Sequence, residues 1–491
     1  MESATLTPGG FAARLRAVSA CSWARAGFAL LCLATTVGFV VYPTFPNYDS
    51  YYSLLWGREL LAPDQLSFDA YRAPTEHPLA VAFGAALSLL GDDADRVLVG
   101  FTLVSFVALV AGLYRLGRVA FTPLVGTIAA LLLLTRFDFP FLAARGYVDI
   151  PYLALVIWAA ALEAQRPRRG MSVLWLLTAA GLLRPEGWVL AGLYFLWIAR
   201  PVGWSRRAIG AGLAALAPLV WAAVDLAATG DPLFSLNATS GLAEELGRRR
   251  TLAEVPTALP GFIKSVVKPP VAYAGLAGLA LAAWIAPRRA AAPAAVLLSG
   301  VATFVAVGLA GLSVIERYLL GASLAVLVFA AVALGGFTML REGTRLRRWW
   351  ALGSALLVVY GLLFTITRVN LSQFETELTF RGDAHAALER VLADPDVRAG
   401  LRCGPLSVPN HKLIPDARWV LGASVGEVLA RSDPRARSRI GRGVALFPHG
   451  RLAVLRHAYT IEDDDPLIQR PDPRFAGPVA ISRFYAAYVR C

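Results

Sequence analysis

The feature that most limits what this chain can fold into is a series of apolar runs, about 13 to 22 residues each, separated by short segments rich in arginine. The runs fall near 24–43, 96–114, 120–136, 149–164, 171–183, 187–199, 207–226, 270–286, 293–312, 318–339 and 349–367. A bilayer core about 30 Å thick asks for roughly 20 apolar residues in a spanning helix. The runs therefore predict an all-α polytopic membrane domain of about eleven transmembrane helices. Charged residues make up only 16% of the chain, against about 25% in an average soluble domain, so most of the chain has lipid as its solvent.

The formal charge of +13 does not point to nucleic acid, because the arginines sit in short clusters between apolar runs, the pattern of cytoplasmic loops. The segment 78–91, PLAVAFGAALSLLG, is apolar but short, and charge parity decides its status. Counting it as a span would move every later basic loop to the wrong side. If it lies along the outer surface, Arg115/Arg118, Arg166/Arg168/Arg169, Arg206/Arg207, Arg288/Arg289 and Arg341/Arg345/Arg347/Arg348 all face the cytoplasm. This threading gives a cytoplasmic tail at 1–23 with Arg14 and Arg16, a transmembrane domain at 24–368, and outer loops at 44–95, 137–148 and 227–269. Arg248, Arg249 and Arg250 run against the bias in the last loop. The first run is too long for the apolar region of a signal peptide, so it reads as an uncleaved span of a multi-pass plasma-membrane protein.

From 369 to 491 the apolar runs shorten while charge and proline rise. A helix-like stretch at 383–394 and strand-like runs at GVALF and GPVAISRFYAAYV predict a small α/β domain outside the cytoplasm. Cys403 and Cys491 both fall in it, where an oxidising compartment would permit a disulfide. Cys21 and Cys32 lie in or beside the first span, and no metal-ligand spacing is present.

With sides assigned, acids gather in the outer loops beside span entrances. Asp49, in FPNYDSYYSLLWGREL, opens a stretch whose apolar Tyr52, Leu55, Trp56 and Leu60 keep helical spacing, and Tyr51 and Trp56 suit an interfacial aromatic belt. Asp49 would then sit at headgroup level, as a reactive carboxylate or simply as a helix N-cap. Glu76 and His77 precede Pro78, where an acid complements a helix dipole and a single histidine is often structural. Asp149, in AARGYVDIPYLAL, is either a second reactive acid or another cap.

NYDSYY, TEHPL and ARGYVDIPYLAL, in this order and spacing, resemble the first-loop acid, the Glu-Lys-Pro-Pro-Leu element and the second-loop acid of the protein O-mannosyltransferase and aminoarabinose transferase superfamily. These are GT-C fold glycosyltransferases that use polyprenyl-phosphate sugars. The resemblance covers roughly residues 24–200. Here His77-Pro78-Leu79 stands where the family has Lys-Pro-Pro, so the lysine's phosphate contact has no direct counterpart. LLRPEGW at 182–188 and ERYLL at 316–320 resemble basic outer-face elements of such enzymes.

The resemblance implies an inverting transfer of a sugar from a polyprenyl-phosphate donor to a glycan, lipid or protein acceptor, with Asp49 as general base. Glu76 and Asp149 would orient hydroxyls or hold a divalent ion, and His77, Arg145, Arg184, Arg317 and Tyr318 would bind substrate. Arg184 and Arg317 equally admit a structural role, with Glu186 and Glu316 pairing to neighbouring arginines at helix junctions. Two other functions share the pattern: a flippase or transporter of lipid-linked saccharides, which should carry ionised groups within spans and an internal repeat, and an O-antigen-type polymerase or ligase, for which loop 227–269 is large enough.

Overall fold

The computed structural model describes residues 20–491, apart from 63–65, 69, 201–202, 249–250, 369–370, 451–452 and 455–470. Arg14, Arg16, Arg249 and Arg250 lie outside the described residues. The membrane domain is helical: α1 (Ala20–Val41), α2 (Tyr48–Leu60), α3 (Pro78–Ser88), α4 (Ala94–Ala120), α5 (Pro123–Leu134), α6 (Asp138–Ala144), α7 (Asp149–Gln165), α8 (Met171–Leu183), α9 (Glu186–Ala199), α10 (Trp204–Thr229), α11 (Phe234–Glu245), α12 (Val255–Val267), α13 (Pro269–Ile285), α14 (Pro287–Leu309), α15 (Leu320–Gly335) and α16 (Arg345–Arg368). Every expected span coincides with a helix, and the chain is a multi-pass membrane protein.

Among the described residues six helices are long and apolar enough to cross a bilayer, or eight if each of two bent pairs forms one span. α5 and α6 bend by 63°, and the segment ending in α12 meets α13 at 106°. Part of what reads as outer loop 227–269 is thus an apolar helix folded against the bundle. α8 and α9, 13 and 14 residues long, reach only about 20 Å each at 1.5 Å per residue. They pack side by side, and the turn between them carries Arg184.

The segment 78–91 forms α3, which at 11 residues is about 16 Å long and too short to span. It lies against α2 at near-backbone distance. A Cβ at Gly84 would meet the Ser53 carbonyl oxygen at 2.3 Å, and one at Gly57 would meet the Ala85 nitrogen at 2.3 Å. Only glycine at both positions lets the helices cross this closely. α2 itself is buried, which corrects the expected interfacial belt. Tyr51, Tyr52 and Trp56 are at most 1% exposed, with Tyr51 Oη donating to Asp95 at 3.0 Å and Trp56 Nε1 to the Ser67 carbonyl at 3.1 Å. The cause is the C-terminal domain, whose Trp419 ring lies 6.3 Å from that of Tyr51.

That domain begins with α17 (Leu371–Ala393), which starts a dozen residues before the expected helix, followed by α18 (Pro395–Leu401) and α19 (Ile414–Leu421). Strands β1 (Leu406–Val408), β2 (Val428–Ala430), β3 (Gly443–Pro448), β4 (Ala476–Ile481) and β5 (Tyr485–Arg490) form one sheet in the order β2-β1-β3-β5-β4. The β1 neighbours are parallel and β5 pairs antiparallel with β3 and β4, so the run GPVAISRFYAAYV is a hairpin rather than one strand. Cys403 and Cys491 are bonded, with Cα atoms 5.2 Å apart.

The two ends of the bundle differ in chemistry. Arg115 bonds Gln165 at 2.8 Å, and Thr122 meets Thr338 at 2.8 Å, so the first, second and last basic clusters share one end. The acids of the outer-loop motifs and the sheet domain share the other.

Candidate active site

Four chain segments meet at this second end. The first supplies Asp49 in the opening turn of α2. The helix is capped by Asn47, whose side chain accepts from the Asp49 amide at 2.7 Å, so the Asp49 carboxylate is free of the capping role and its side chain remains 24% exposed. The second segment supplies Asp149 at the start of α7, again without a cap bond from its side chain. The third is the α8–α9 turn with Arg184 and Glu186, and the fourth is the one-turn helix Glu316–Leu319 that leads into α15.

Arg317 joins the two aspartates. Its Nη1 lies 3.0 Å from Asp49 Oδ2 and its Nη2 2.7 Å from Asp149 Oδ2. Arg184 bonds the other Asp149 oxygen and donates to Glu186 from Nε at 3.0 Å and Nη2 at 2.6 Å. The Arg184–Glu186 pairing expected of a helix junction is present, but Arg184 also faces Asp149 across the site. Glu316 makes no ion pair among the described residues. Tyrosine rings flank the guanidinium groups: Tyr318 and Tyr152 lie 5.4 and 5.7 Å from Arg184, and Tyr147 lies 5.1 Å from Arg317.

This cluster closes the polar end of a narrow cleft. Its polar wall is Asp149, Arg184, Glu186, Arg317 and Tyr318, while Leu153, Val156, Leu190, Val296 and Leu320 make the remainder apolar. Ser299 and Thr303 of α14 add hydroxyl-bearing positions. Nothing in the sequence singled them out beyond their spacing of one helical turn in an apolar run.

The other expected site residues lie outside this cleft. His77 is half-buried beside the arginines, and desolvation of its ring, with Arg184 and Arg317 nearby, pushes its pKa down to about 3. Its ring is neutral, stands 5.7 Å from that of Trp221, and has a buried Nδ1 with no hydrogen-bond partner among the described residues. Glu76 turns away to Ser235, whose hydroxyl bonds both Glu76 and Asp225. Burial, reinforced by Asp225, raises the Glu76 pKa to about 8. Asp225 is an acid within the apolar run of α10, a signal that by itself marks an intramembrane ionisable group for attention. Arg145 is buried and clamps the first two loops, donating to the carbonyls of Phe45 at 3.2 Å and Pro46 at 3.4 Å.

Among the described residues no three His, Cys, Asp or Glu side chains are grouped to hold a metal ion. Asp49 and Asp149 have a guanidinium between them, a donor set that does not fit a divalent cation.

The helical bundle under a small α/β domain has a GT-C fold. The fold is shared with ArnT from Cupriavidus metallidurans bound to undecaprenyl phosphate, at a TM-score of 0.56 and 15% identity, and with the same protein in its apo state, at 0.57 and 14%; each comparison covers 96% of this chain and 98% of that one. The apo oligosaccharyltransferase of Archaeoglobus fulgidus matches at a TM-score of 0.50 and 13% identity, over 87% of this chain and 69% of that one. At these identities the likeness is one of fold. No protein-family model and no curated relative matches the sequence.

Proposed function

We propose that the protein is an inverting glycosyltransferase that moves a sugar from a polyprenyl-phosphate donor to an acceptor on the outer face of the membrane. The observation that carries this reading is the cleft: a lining of aliphatic side chains ending at Arg184 and Arg317, with Asp49 on the far side of Arg317. An amphipathic donor needs such a sequence of surfaces, apolar wall for the lipid, guanidinium for the phosphate and carboxylate for the acceptor. The fold shared with ArnT, a protein crystallised with undecaprenyl phosphate, supports the same donor class.

The acceptor hydroxyl oxygen attacks the anomeric carbon as the bond from that carbon to the phosphate oxygen breaks. The phosphate departs with the bonding pair already ionised, so it needs positive charge and no general acid. Arg184 and Arg317 supply that charge through planar guanidinium groups suited to phosphate, whereas neutral His77 has at most an N–H to offer. The hydroxyl proton passes to Asp49. At rest Arg317 is shared between the two aspartates. Moving Arg317 toward the phosphate weakens its hold on Asp49 and leaves that carboxylate to the acceptor, while Asp149 keeps both arginines in register.

The basic end of the bundle would face the cytoplasm and the sheet domain would lie outside. The test is turnover of Asp49→Asn with undecaprenyl-phosphate sugars. Because Asn47 caps the helix, the variant should fold normally. Loss of a general base typically costs on the order of 10² to 10⁴ in rate. Turnover near that of the unmodified protein would remove Asp49 from the reaction.

A further inference from the structure

At the end of the bundle opposite the candidate active site, the loop between α7 and α8 reads RPRRG over residues 166–170. Arg166, Arg168 and Arg169 are all exposed. Arg115 of α4 stands beside them through its bond to Gln165 at 2.8 Å. From Arg96 to Val224 the sequence has four acids, Asp138, Asp149, Glu163 and Glu186. Asp149 and Glu186 belong to the candidate active site, and Asp138 opens α6, which leads to Arg145 at that same end. Glu163 is therefore the one acid of this stretch at the basic end.

Among the described residues Glu163 pairs with none of the three guanidinium groups, because its carboxylate is spent on shaping the loop. Its Oε1 accepts from the Arg168 amide at 2.7 Å and from Trp197 Nε1 at 3.0 Å. Its Oε2 accepts from the Arg169 amide at 3.2 Å and from the Tyr194 hydroxyl at 2.8 Å. The Gly170 amide in turn donates to Tyr194 Oη at 3.1 Å. These bonds hold Arg168 at φ 57°, a left-handed conformation that a residue other than glycine keeps only where its surroundings impose it. The Arg168 guanidinium carbon lies 4.6 Å from the centre of the Trp197 ring, an attraction that uses no N–H donor. The acid thus fixes the loop, and three exposed guanidinium groups keep their donors for something outside the chain.

We propose that the 166–170 loop is a headgroup site for an anionic phospholipid of the leaflet at the basic end. Its depth fits. α7 has 17 residues and runs about 25 Å from Asp149 to the loop, less than the roughly 30 Å of a bilayer core, so the loop stands at the level of the lipid phosphates and not beyond them. Its surroundings fit too. Leu193 and Leu196 of α9 and Trp175 of α8 are exposed beside it and offer an apolar surface to the acyl chains, while Trp197 takes the interfacial place that tryptophan favours. Guanidinium forks bond phosphate oxygens in pairs, and a loop shaped in advance gives up little freedom on binding. The site is independent of the sugar-transfer reaction and of the side of the membrane that the basic end faces.

Native mass spectrometry of the full chain, titrated in detergent with dioleoyl-phosphatidylglycerol or dioleoyl-phosphatidylcholine, counts bound lipids and reads their affinities. We expect the first phosphatidylglycerol to bind more tightly than the first phosphatidylcholine. The triple variant Arg166→Gln, Arg168→Gln, Arg169→Gln should weaken it on the order of a hundredfold, about fivefold for each arginine. Arg288→Gln with Arg289→Gln, at a different basic loop, should leave that first site as it was. Equal affinity for the two lipids, or full affinity in the triple variant, would overturn the proposal. Equal losses in the triple variant and in the Arg288/Arg289 pair would overturn it as well, because any basic loop would then serve. Should the triple variant fold poorly, Arg168→Gln alone carries the test: a fivefold loss is expected, and no loss refutes the site.

Discussion

Arg317 Nη1 stands 3.0 Å from Asp49 Oδ2, so the proposed phosphate ligand and the proposed base hold each other across 268 positions of sequence. In the mechanism proposed above, a guanidinium shared between Asp49 and Asp149 would keep the base occupied until a phosphate competes for the same donors, which would couple arrival of the donor to release of the carboxylate.

Replacing Arg317 with lysine tests that coupling. An ammonium is a point charge on a flexible stem and cannot span two carboxylates and a phosphate as a planar fork does. We expect Arg317→Lys to raise the KM for a polyprenyl-phosphate sugar by about tenfold or more, the cost of one lost charge-assisted bond, and to lower kcat as well. Steady-state kinetics at saturating acceptor reads both constants. Unchanged KM would separate Arg317 from donor binding.

Asp149 should behave differently from Asp49 although both touch Arg317. Its side chain is 2% exposed, and it answers both Arg184 and Arg317. Breaking a buried pair by removing one partner typically costs about 3–5 kcal/mol, because the remaining charge is stranded. Asp149→Asn is therefore expected to lower the thermal unfolding temperature in detergent clearly, and Asp49→Asn to leave it close to that of the unmodified protein. Equal temperatures for the two variants would show that Asp149 is no more structural than Asp49.

Much of this arrangement was legible from sequence because hydrophobic length and arginine placement are local signals. The helix positions, the short α3 and the pairing of Cys403 with Cys491 needed no tertiary information. Which acids would meet did need it. Asp49, Glu76 and Asp149 look alike as acids beside span entrances, yet only Asp49 and Asp149 reach Arg317, while Glu76 rotates to Ser235 and Asp225. Asp225 sits on a helix whose azimuth no loop motif specifies. The burial of Tyr51 and Trp56 was hidden for a related reason, since an aromatic helix beside a membrane reads as interfacial until another domain is seen to cover it. The bends at α5–α6 and α12–α13 could not be read from the apolar runs: run length measures solvent, not direction.

The proposed orientation is open to a labelling experiment. Single cysteines at 67, 240 and 440, in a background without the native cysteines, should react in intact cells with a membrane-impermeant maleimide. Cysteines at 168 and 344 should react only after lysis. Positions 168 and 344 belong to basic loops at the end opposite the sheet domain, so labelling at 344 without labelling at 440 would invert the threading and put the donor cleft on the cytoplasmic side.

The last expectation concerns pH and Glu76. Its carboxyl is 1% exposed, bonded to the Ser235 hydroxyl and pushed from an ordinary 4.5 up to about 8, first by burial and then by Asp225. Below pH 4.5 the group is protonated in both folded and unfolded chains and contributes no slope. Between 4.5 and about 8 the folded protein keeps a proton that the unfolded chain has released, so stability falls as pH rises; above about 8 both have lost it and the fall ends. Glu76→Gln cannot ionise and retains an amide oxygen to accept from Ser235. The variant should therefore lose this part of the pH dependence, and its unfolding temperature should gain on that of the unmodified protein steadily from pH 5 to pH 8. Scanning fluorimetry in detergent across that range measures the difference directly. Parallel curves for the two proteins would mean that Glu76 is already ionised in the folded state, and that loop 227–269 is held at Ser235 by a charged rather than a neutral acid.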